Sequence, residues 1–301
     1  MKKITIASRE SKLALWQTHF VRDVIKEKLD LDCEIVTMKT QGDIILDKPL
    51  NQIGGKALFM KELEKSMQKG ETDIAVHSLK DVPFVLPQGF CLASFMPRED
   101  PRDAFVSNDF ASIDDLPKGA VVGTSSLRRK SQLLHYRNDL VIKDLRGNVQ
   151  TRLSKLDSGD YDAIILAGAG LIRLGLEDRI AQYIPIEISL PAVGQGIVVI
   201  EALETEVELI NSLQKLNDAN ASIVAATERA FNKELQGGCH VAIAAYATVS
   251  SDSSINLQAM VASADGERIL KMSNHGFNPA IVGSELAREM ISQGAYDILE
   301  K

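Results

Sequence analysis

Apolar and polar positions alternate along the first two-thirds of the chain in a way that marks out short strands and amphipathic helices. Lys3–Ala7 predicts a strand, and Leu13, Trp16, Phe20, Val24 and Ile25 then recur at helical spacing, on one buried face. Cys33–Lys39 predicts a second strand. The segment Gly42–Lys56 carries Gly, Pro and Asn and reads as a long loop, of the size used to cover a site. A helix from about Ala57 to Gln68, a strand over Asp73–Val76 and another over Phe90–Phe95 follow. After the charged, proline-bearing crossover PREDPRDAF the alternation resumes: strand 120–123, helix 127–136, strand 140–145, helix 148–157 and strand Ala163–Ala167. Such β-α-β alternation implies a mostly parallel sheet covered by helices. Ser189–Gly196 is a second Pro/Gly crossover, and Ile197–Glu201 is again strand-like. Two crossovers predict that the chain leaves a first α/β domain, builds a second and returns, with a ligand cleft between hinged lobes.

Beyond Asn217 the texture changes. A helix from Ala219 to Leu235 leads to Gln236-Gly237-Gly238-Cys239, and three β patterns (241–249, 255–261, 268–274) precede a helix from about Pro279 to Gln293. The expected organisation is therefore two hinged, doubly wound α/β domains, 1–98 with 195–216 and 99–194, plus a small α+β domain over 217–301 with a three-stranded antiparallel sheet.

Composition narrows the class. An apolar share of 45% and a charged share of 25% are ordinary for a soluble globular protein. No apolar run approaches the roughly 20 residues that span a bilayer, and the N-terminus lacks the continuous apolar core of a signal peptide. The three cysteines form no CxxC pair and have no histidine at ligand spacing, which argues against a disulfide framework or a zinc site. Cys33 and Cys91 lie in apolar strands and read as buried, inert thiols. A reduced, cytoplasmic chain without a metal is expected.

Charge is where the sequence becomes specific. Formal net charge is -7, yet Gly123–Arg152 holds five of the fourteen arginines: Arg128, Arg129, Arg137, Arg146 and Arg152. The first two follow Gly123-Thr124-Ser125-Ser126, a small polar turn opening a helix, where free N–H groups and guanidinium forks suit carboxylates or phosphates. A second constellation, His77-Ser78-Leu79-Lys80-Asp81-Val82-Pro83, closes a buried-looking strand, the place where α/β sheets bind ligands. It sets a cation beside a carboxylate in one turn. His77 alone reads as a packed or hydrogen-bonded histidine. Cys239, after two glycines, is a candidate nucleophile or attachment point. Gly168-Ala169-Gly170 and Gly194-Gln195-Gly196 lack the third glycine of a dinucleotide fingerprint, and no phosphate-binding loop of the GxxxxGK[ST] type is present. The acidic balance and the lack of interleaved aromatics disfavour nucleic acid.

Together these stretches resemble the porphobilinogen deaminase (hydroxymethylbilane synthase) family. The resemblance runs in order through Ala14-Leu15-Trp16-Gln17, Gly54-Gly55-Lys56, His77–Pro83, Glu99–Val106, Gly123–Arg129, Leu145–Lys155, Leu190–Gly196 and Glu234–Cys239. It thins after Ala244. Family members usually read Gln-Val-Pro after the cysteine, where this chain has His240-Val241-Ala242.

The resemblance implies two lobes of periplasmic-binding-protein-like type and a transferase of haem and other tetrapyrrole biosynthesis. Such enzymes join four porphobilinogen molecules head to tail, releasing ammonia, and carry a covalent dipyrromethane cofactor on a loop cysteine, here Cys239. Because every porphobilinogen brings an acetate and a propionate, Arg9, Ser11, Arg128, Arg129, Arg146, Arg152 and Arg173 are implied to bind carboxylates of cofactor or substrate. Thr124, Ser125 and Ser126 would add neutral donors. Ser78, Lys80, Gly147, Ala167, Gln195 and Gly196 would complete the cofactor site, with Lys56 and Phe59 in the covering loop. Asp81 matches the family's catalytic carboxylate, which opposes positive charge as ammonia leaves. Arg137 falls outside the matched motifs and is left as a surface residue. A monomer with a small-molecule substrate, and with neither nucleic acid nor membrane as partner, is the implied working form. The rival reading is a non-catalytic, two-lobed small-anion-binding protein on the same architecture.

Overall fold

The structure is a computed structural model that describes residues 3–44, 58–237 and 241–299. In chain order the elements are β1 (Ile4–Arg9), α1 (Lys12–Leu29), β2 (Cys33–Met38), α2 (Gln41–Ile44), α3 (Lys61–Gln68), β3 (Ile74–Ser78) and β4 (Phe90–Phe95). Then come β5 (Asp103–Val106), β6 (Val121–Gly123), α4 (Leu127–Tyr136), β7 (Val141–Lys143), α5 (Val149–Asp157), β8 (Ala163–Ala167), α6 (Gly168–Arg173) and β9 (Gln182–Tyr183). The chain continues through β10 (Val198–Leu203), α7 (Val207–Leu213), α8 (Ala219–Glu234), β11 (Ala242–Val249), β12 (Ile255–Ala262), β13 (Ile269–Gly276), α9 (Pro279–Ser292) and α10 (Ala295–Ile298). It divides into two compact units, Met1–Glu99 with Ile197–Ser222 and Asp100–Gly196 with Ile223–Lys301.

The first unit is built on a sheet in the order β2-β1-β3-β10-β4. β1 runs parallel to β2 and β3, whereas β10 is antiparallel to both β3 and β4. One strand is therefore reversed in an otherwise parallel sheet. Strand alternation sends Ile74 and Val76 into the core that also holds Val21 and Ile25 of α1, and sends Ala75 against Leu63 and Met67 of α3. α1 begins at the N-cap Ser11, whose Oγ accepts from the Ala14 N–H, and ends at Asp30 in a left-handed conformation. Its buried face differs from the expected one. Gln17, Thr18, Val21 and Ile25 are buried, while Trp16 is 38% exposed and stacks on Phe20. Two polar residues take buried positions because each has a partner: Gln17 donates to Ser78, and the Thr18 hydroxyl lies within hydrogen-bond distance of Ser8 Oγ and the Ala14 carbonyl, to one of which it donates.

The second unit repeats the arrangement in the order β7-β6-β8-β5-β9. Here β6 is parallel to β7 and β8, and β5 is antiparallel to β8 and β9. Of the reversed strands, β5 begins within the first crossover and β10 follows directly on the second. β5 was not foreseen as a strand, nor were β9 and the helices α2 (in a segment read as loop), α6, α7 and α10. The same unit carries the antiparallel meander β11-β12-β13. Glu228 of α8, fully buried, accepts from the Gly194 and Ala247 N–H groups and so ties the second crossover to β11. Gly283 lets α9 lie close to α8, since a Cβ there would meet the Thr227 carbonyl oxygen at 2.3 Å. Among the described residues no helix is long and apolar enough to cross a membrane.

Of the expected covering loop, residues 45–57 lie outside the described residues. So do Gly238, Cys239 and His240. Cys33 and Cys91 are half-buried, a correction to the expectation of full burial; burial still raises both thiols, Cys33 to about 11, which keeps them unreactive.

Candidate active site

In the first unit the candidate residues gather at the carboxyl ends of β1 and β3. β1 delivers Arg9, whose guanidinium donates to both oxygens of Asp43 and lies 4.3 Å from the Phe59 ring centroid. Burial alone would raise the Asp43 carboxyl, but Arg9 and Thr40 outweigh it and hold it below the usual range. β3 ends at Ser78, whose hydroxyl accepts from the Gln17 amide at 2.8 Å. The chain then turns through one short 3-10 segment, Leu79–Asp81. The Leu79 N–H donates to the Ile197 carbonyl and the Val82 N–H closes the turn on Leu79, each within 3.0 Å. Leu79 is buried beneath the turn, and Lys80 and Asp81 are half-buried above it. The sequence therefore presents an amine and a carboxylate on a rigid corner. Among the described residues no donor is bonded to the Asp81 carboxylate.

In the second unit the Gly123–Arg129 turn is tightly self-satisfied. Ser126 caps α4 by accepting from the Arg129 N–H, Ser125 both accepts from the Leu145 N–H and donates to its carbonyl, and Thr124 accepts from the Ser126 N–H. These hydroxyls shape the turn. Arg128 and Arg129 point inward and are 5% and 6% exposed. Both converge on Asp103 of β5, which is fully buried: Arg128 Nη1 and Nη2 reach its two oxygens at 2.8 and 3.1 Å, and Arg129 Nε and Nη2 reach Oδ1 at 3.0 and 2.8 Å. Ser189 and Gln195 donate to the same carboxylate at 2.7 and 3.0 Å. Burial would raise Asp103, yet the two guanidiniums hold it far below the ordinary carboxylate range. Arg173, also buried, donates to the Gly196 carbonyl at 2.5 Å, and Arg152 Nε donates to the Gly147 carbonyl at 2.8 Å. Gly147 has φ +116, and a Cβ there would meet Thr151 Cγ2 at 2.7 Å, so the position demands glycine. Ala167, opposite Asp103 in the β5–β8 register, precedes α6.

Comparison with known proteins decides what this chemistry serves. Residues 4–211 match the family profile described as porphobilinogen deaminase, dipyromethane cofactor binding domain, and residues 223–292 match its C-terminal domain. The porphobilinogen deaminase of Francisella tularensis subsp. holarctica is 72% identical over 300 residues, covering 100% of each chain. That of Francisella philomiragia is 71% identical over 301 residues with the same coverage. The chain belongs to the porphobilinogen deaminase family. It is a transferase of tetrapyrrole biosynthesis that condenses porphobilinogen to hydroxymethylbilane with release of ammonia, and it uses a dipyrromethane cofactor. Among solved structures, the methionine-binding protein MetQ superimposes with a TM-score of 0.45 at 14% identity, covering 75% of this chain and 94% of that one, too loose a likeness to carry an argument.

In a porphobilinogen deaminase the donor set fits a carboxylate-rich cofactor. Arg128 and Arg129 carry two positive charges, and Asp103 is the one carboxylate bonded to them among the described residues, so one buried positive charge is left over. A net buried charge calls for a further anion. Arg129 has Nη1 on the Ile165 carbonyl and Nε and Nη2 on Asp103, which leaves one N–H on each terminal nitrogen outside these bonds. Two expected residues, Lys56 and Cys239, lie outside the described residues. Arg137 is half-buried on the Ile113 and Leu116 carbonyls and on Asp139, so it braces a loop as well as facing solvent. Sequence reasoning missed Asp103, Ser189 and Gln17. The signal for Asp103 was an acid inside the apolar run Asp103–Val106, hidden by the charged residues before it.

Proposed function

We propose that Asp81 is the carboxylate that opposes positive charge on the pyrrole as ammonia leaves porphobilinogen, and that it also takes or returns the proton at that ring. The observation that carries this reading is its half-buried carboxylate, bonded to no donor among the described residues, on the rigid corner that follows β3. A carboxylate without internal donors keeps its full acceptor capacity for pyrrole N–H groups. Lys80, beside it, supplies a cation for a substrate carboxylate.

The dipyrromethane, when bound, supplies the pyrrole end from which the chain grows. Cys239 is its thioether anchor in this reading, and Arg128, Arg129, Arg146, Arg152 and Arg173, with Ser78, Lys80, Gln195, Gly196, Gly147 and Ala167, hold its acetates and propionates. The leftover positive charge on the Arg128–Arg129–Asp103 group supports that role for the first pair. Arg9 reaches substrate carboxylates only in exchange for Asp43, and Ser11 contributes chiefly by capping α1. Lys56 and Phe59 belong to the cover, Phe59 through its contact with Arg9. The expected three-domain division, cytoplasmic location and monomeric state complete the reading.

Asp81→Asn tests it. Turnover should fall by about 10²–10⁴-fold, the range for losing one positioned acid–base or charge-stabilising group, while the denatured protein keeps the mass excess of its cofactor. Near-normal product formation by this variant would remove Asp81 from the reaction.

A further inference from the structure

Beneath the corner that carries Lys80 and Asp81 lie three titratable side chains that the reaction does not use. His77, on β3, is 7% exposed, Glu201, on β10, is fully buried, and Glu64, on α3, is 8% exposed. His77 Nε2 stands 2.9 Å from Glu201 Oε2. With Glu201 ionised the ring nitrogen is the donor and the carboxylate accepts. The second oxygen of Glu201 is buried and has no hydrogen-bond partner among the described residues. A carboxylate held this way would cost stability without returning it, unless the contact served to fix position.

The position it fixes is defined by the sheet. His77 and Glu201 both lie on the face of the sheet that α3 covers, because Ala75 and its register partner Glu201 alternate with the residues packed against α1. Val199 pairs with His77, Val198 pairs with Ser78, and the Leu79 N–H bonds to Ile197. The histidine–carboxylate contact is therefore the side-chain bolt across the last rungs of the ladder before the chain turns into Asp81. Its surroundings keep it in that role. α3 brings Glu64 near it, with Lys61 and Glu62 beyond, and β4 brings Cys91 on the far side of β10. α1 offers Gln17, Val21 and Ile25, and β1 offers Thr5 and Ala7, none of which titrates. Asp73, before β3, is occupied by Thr5. Burial, and then the charge of Glu201, raise Glu64 to about 7, so at neutral pH α3 adds only part of a second negative charge beside Glu201.

We propose that His77 and Glu201 are positioning residues for Asp81: their buried contact locks the end of β3 to β10 and so fixes the corner on which the reacting carboxylate stands. This rests on the assignment of Asp81 to the reaction.

The test compares His77→Gln, whose amide N–H can still donate to Glu201, with His77→Leu, which has no donor. Steady-state kinetics with porphobilinogen, intact mass and backbone amide shifts of residues 78–82 are measured on each holoenzyme. His77→Leu should lower kcat by about 10–100-fold (the cost of a misplaced catalytic group) with KM and cofactor mass unchanged, and should move the amides of Leu79–Asp81. His77→Gln should restore most of kcat and the wild-type shifts. Should His77→Leu not fold, Glu201→Gln takes its place, because a neutral amide weakens the contact without emptying the space. Wild-type kcat and unmoved amides in His77→Leu, or in Glu201→Gln, would overturn the proposal. So would a His77→Gln variant as impaired as His77→Leu. The amide shifts report on the corner whatever Asp81 does, and activity retained in Asp81→Asn would fault the assignment of Asp81 without touching the structural bolt.

Discussion

Asp103 receives six hydrogen bonds while fully buried, four from Arg128 and Arg129 and one each from Ser189 and Gln195. Removing its charge alone would leave two guanidiniums packed together with no negative charge between them. Asp103→Asn should therefore cost about 3–5 kcal/mol, the range for breaking a buried ion pair from one side. Urea unfolding would show it as a lower midpoint at an unchanged slope, and a loss below about 1 kcal/mol would mean the arginines find other partners. Because the folded carboxyl sits below its ordinary range, this contribution is present at all pH values above that range and is lost only as pH falls through the depressed one. The site arginines are thus only partly available: Asp103 spends one positive charge in holding two side chains still, and the remaining charge is what a ligand carboxylate can use.

At the scale of elements, α3 carries a pH dependence that can be read directly. Glu64 is raised from 4.5 to about 7, burial first and Glu201 second. Between those values the folded chain keeps a proton that the unfolded chain has released, so stability falls as pH rises through the window. Glu64→Gln should flatten that slope in urea melts at pH 5 and pH 8, and an unchanged slope would place its source elsewhere. Strands and helices with a clean period were legible from the residues alone: β4, β8 and α4 stand where the alternation put them, and α8 within a residue. The buried face of α1 was misread because Gln17, hydrogen-bonded to Ser78, goes inward while Trp16 stays 38% exposed. β5 escaped because Asp103 makes a four-residue strand look polar. Its partners are 25 and 26 residues away, beyond what local pattern reveals. The arginine cluster and the turn at Asp81 were legible as candidates, whereas Asp103, which the arginines converge on, and Glu201, which contacts His77, were not.

For the molecule as a whole, the family matches extend from residue 4 to residue 292, and the relatives cover the chain from end to end. The activity is thereby fixed, and which residues carry it is the proposal: a corner in the first unit for the reacting carboxylate, and a second-unit arginine group already half neutralised, with its residual charge for the cofactor. Everything in that account depends on a dipyrromethane joined to Cys239, and the intact mass of the denatured, reduced protein, measured beside that of Cys239→Ser, tests it most directly. The account predicts a mass excess equal to one dipyrromethane unit in the natural chain, resistant to thiol reductant and absent from the variant. An excess that persists in Cys239→Ser, or a natural chain that stays unmodified after incubation with porphobilinogen, would contradict it.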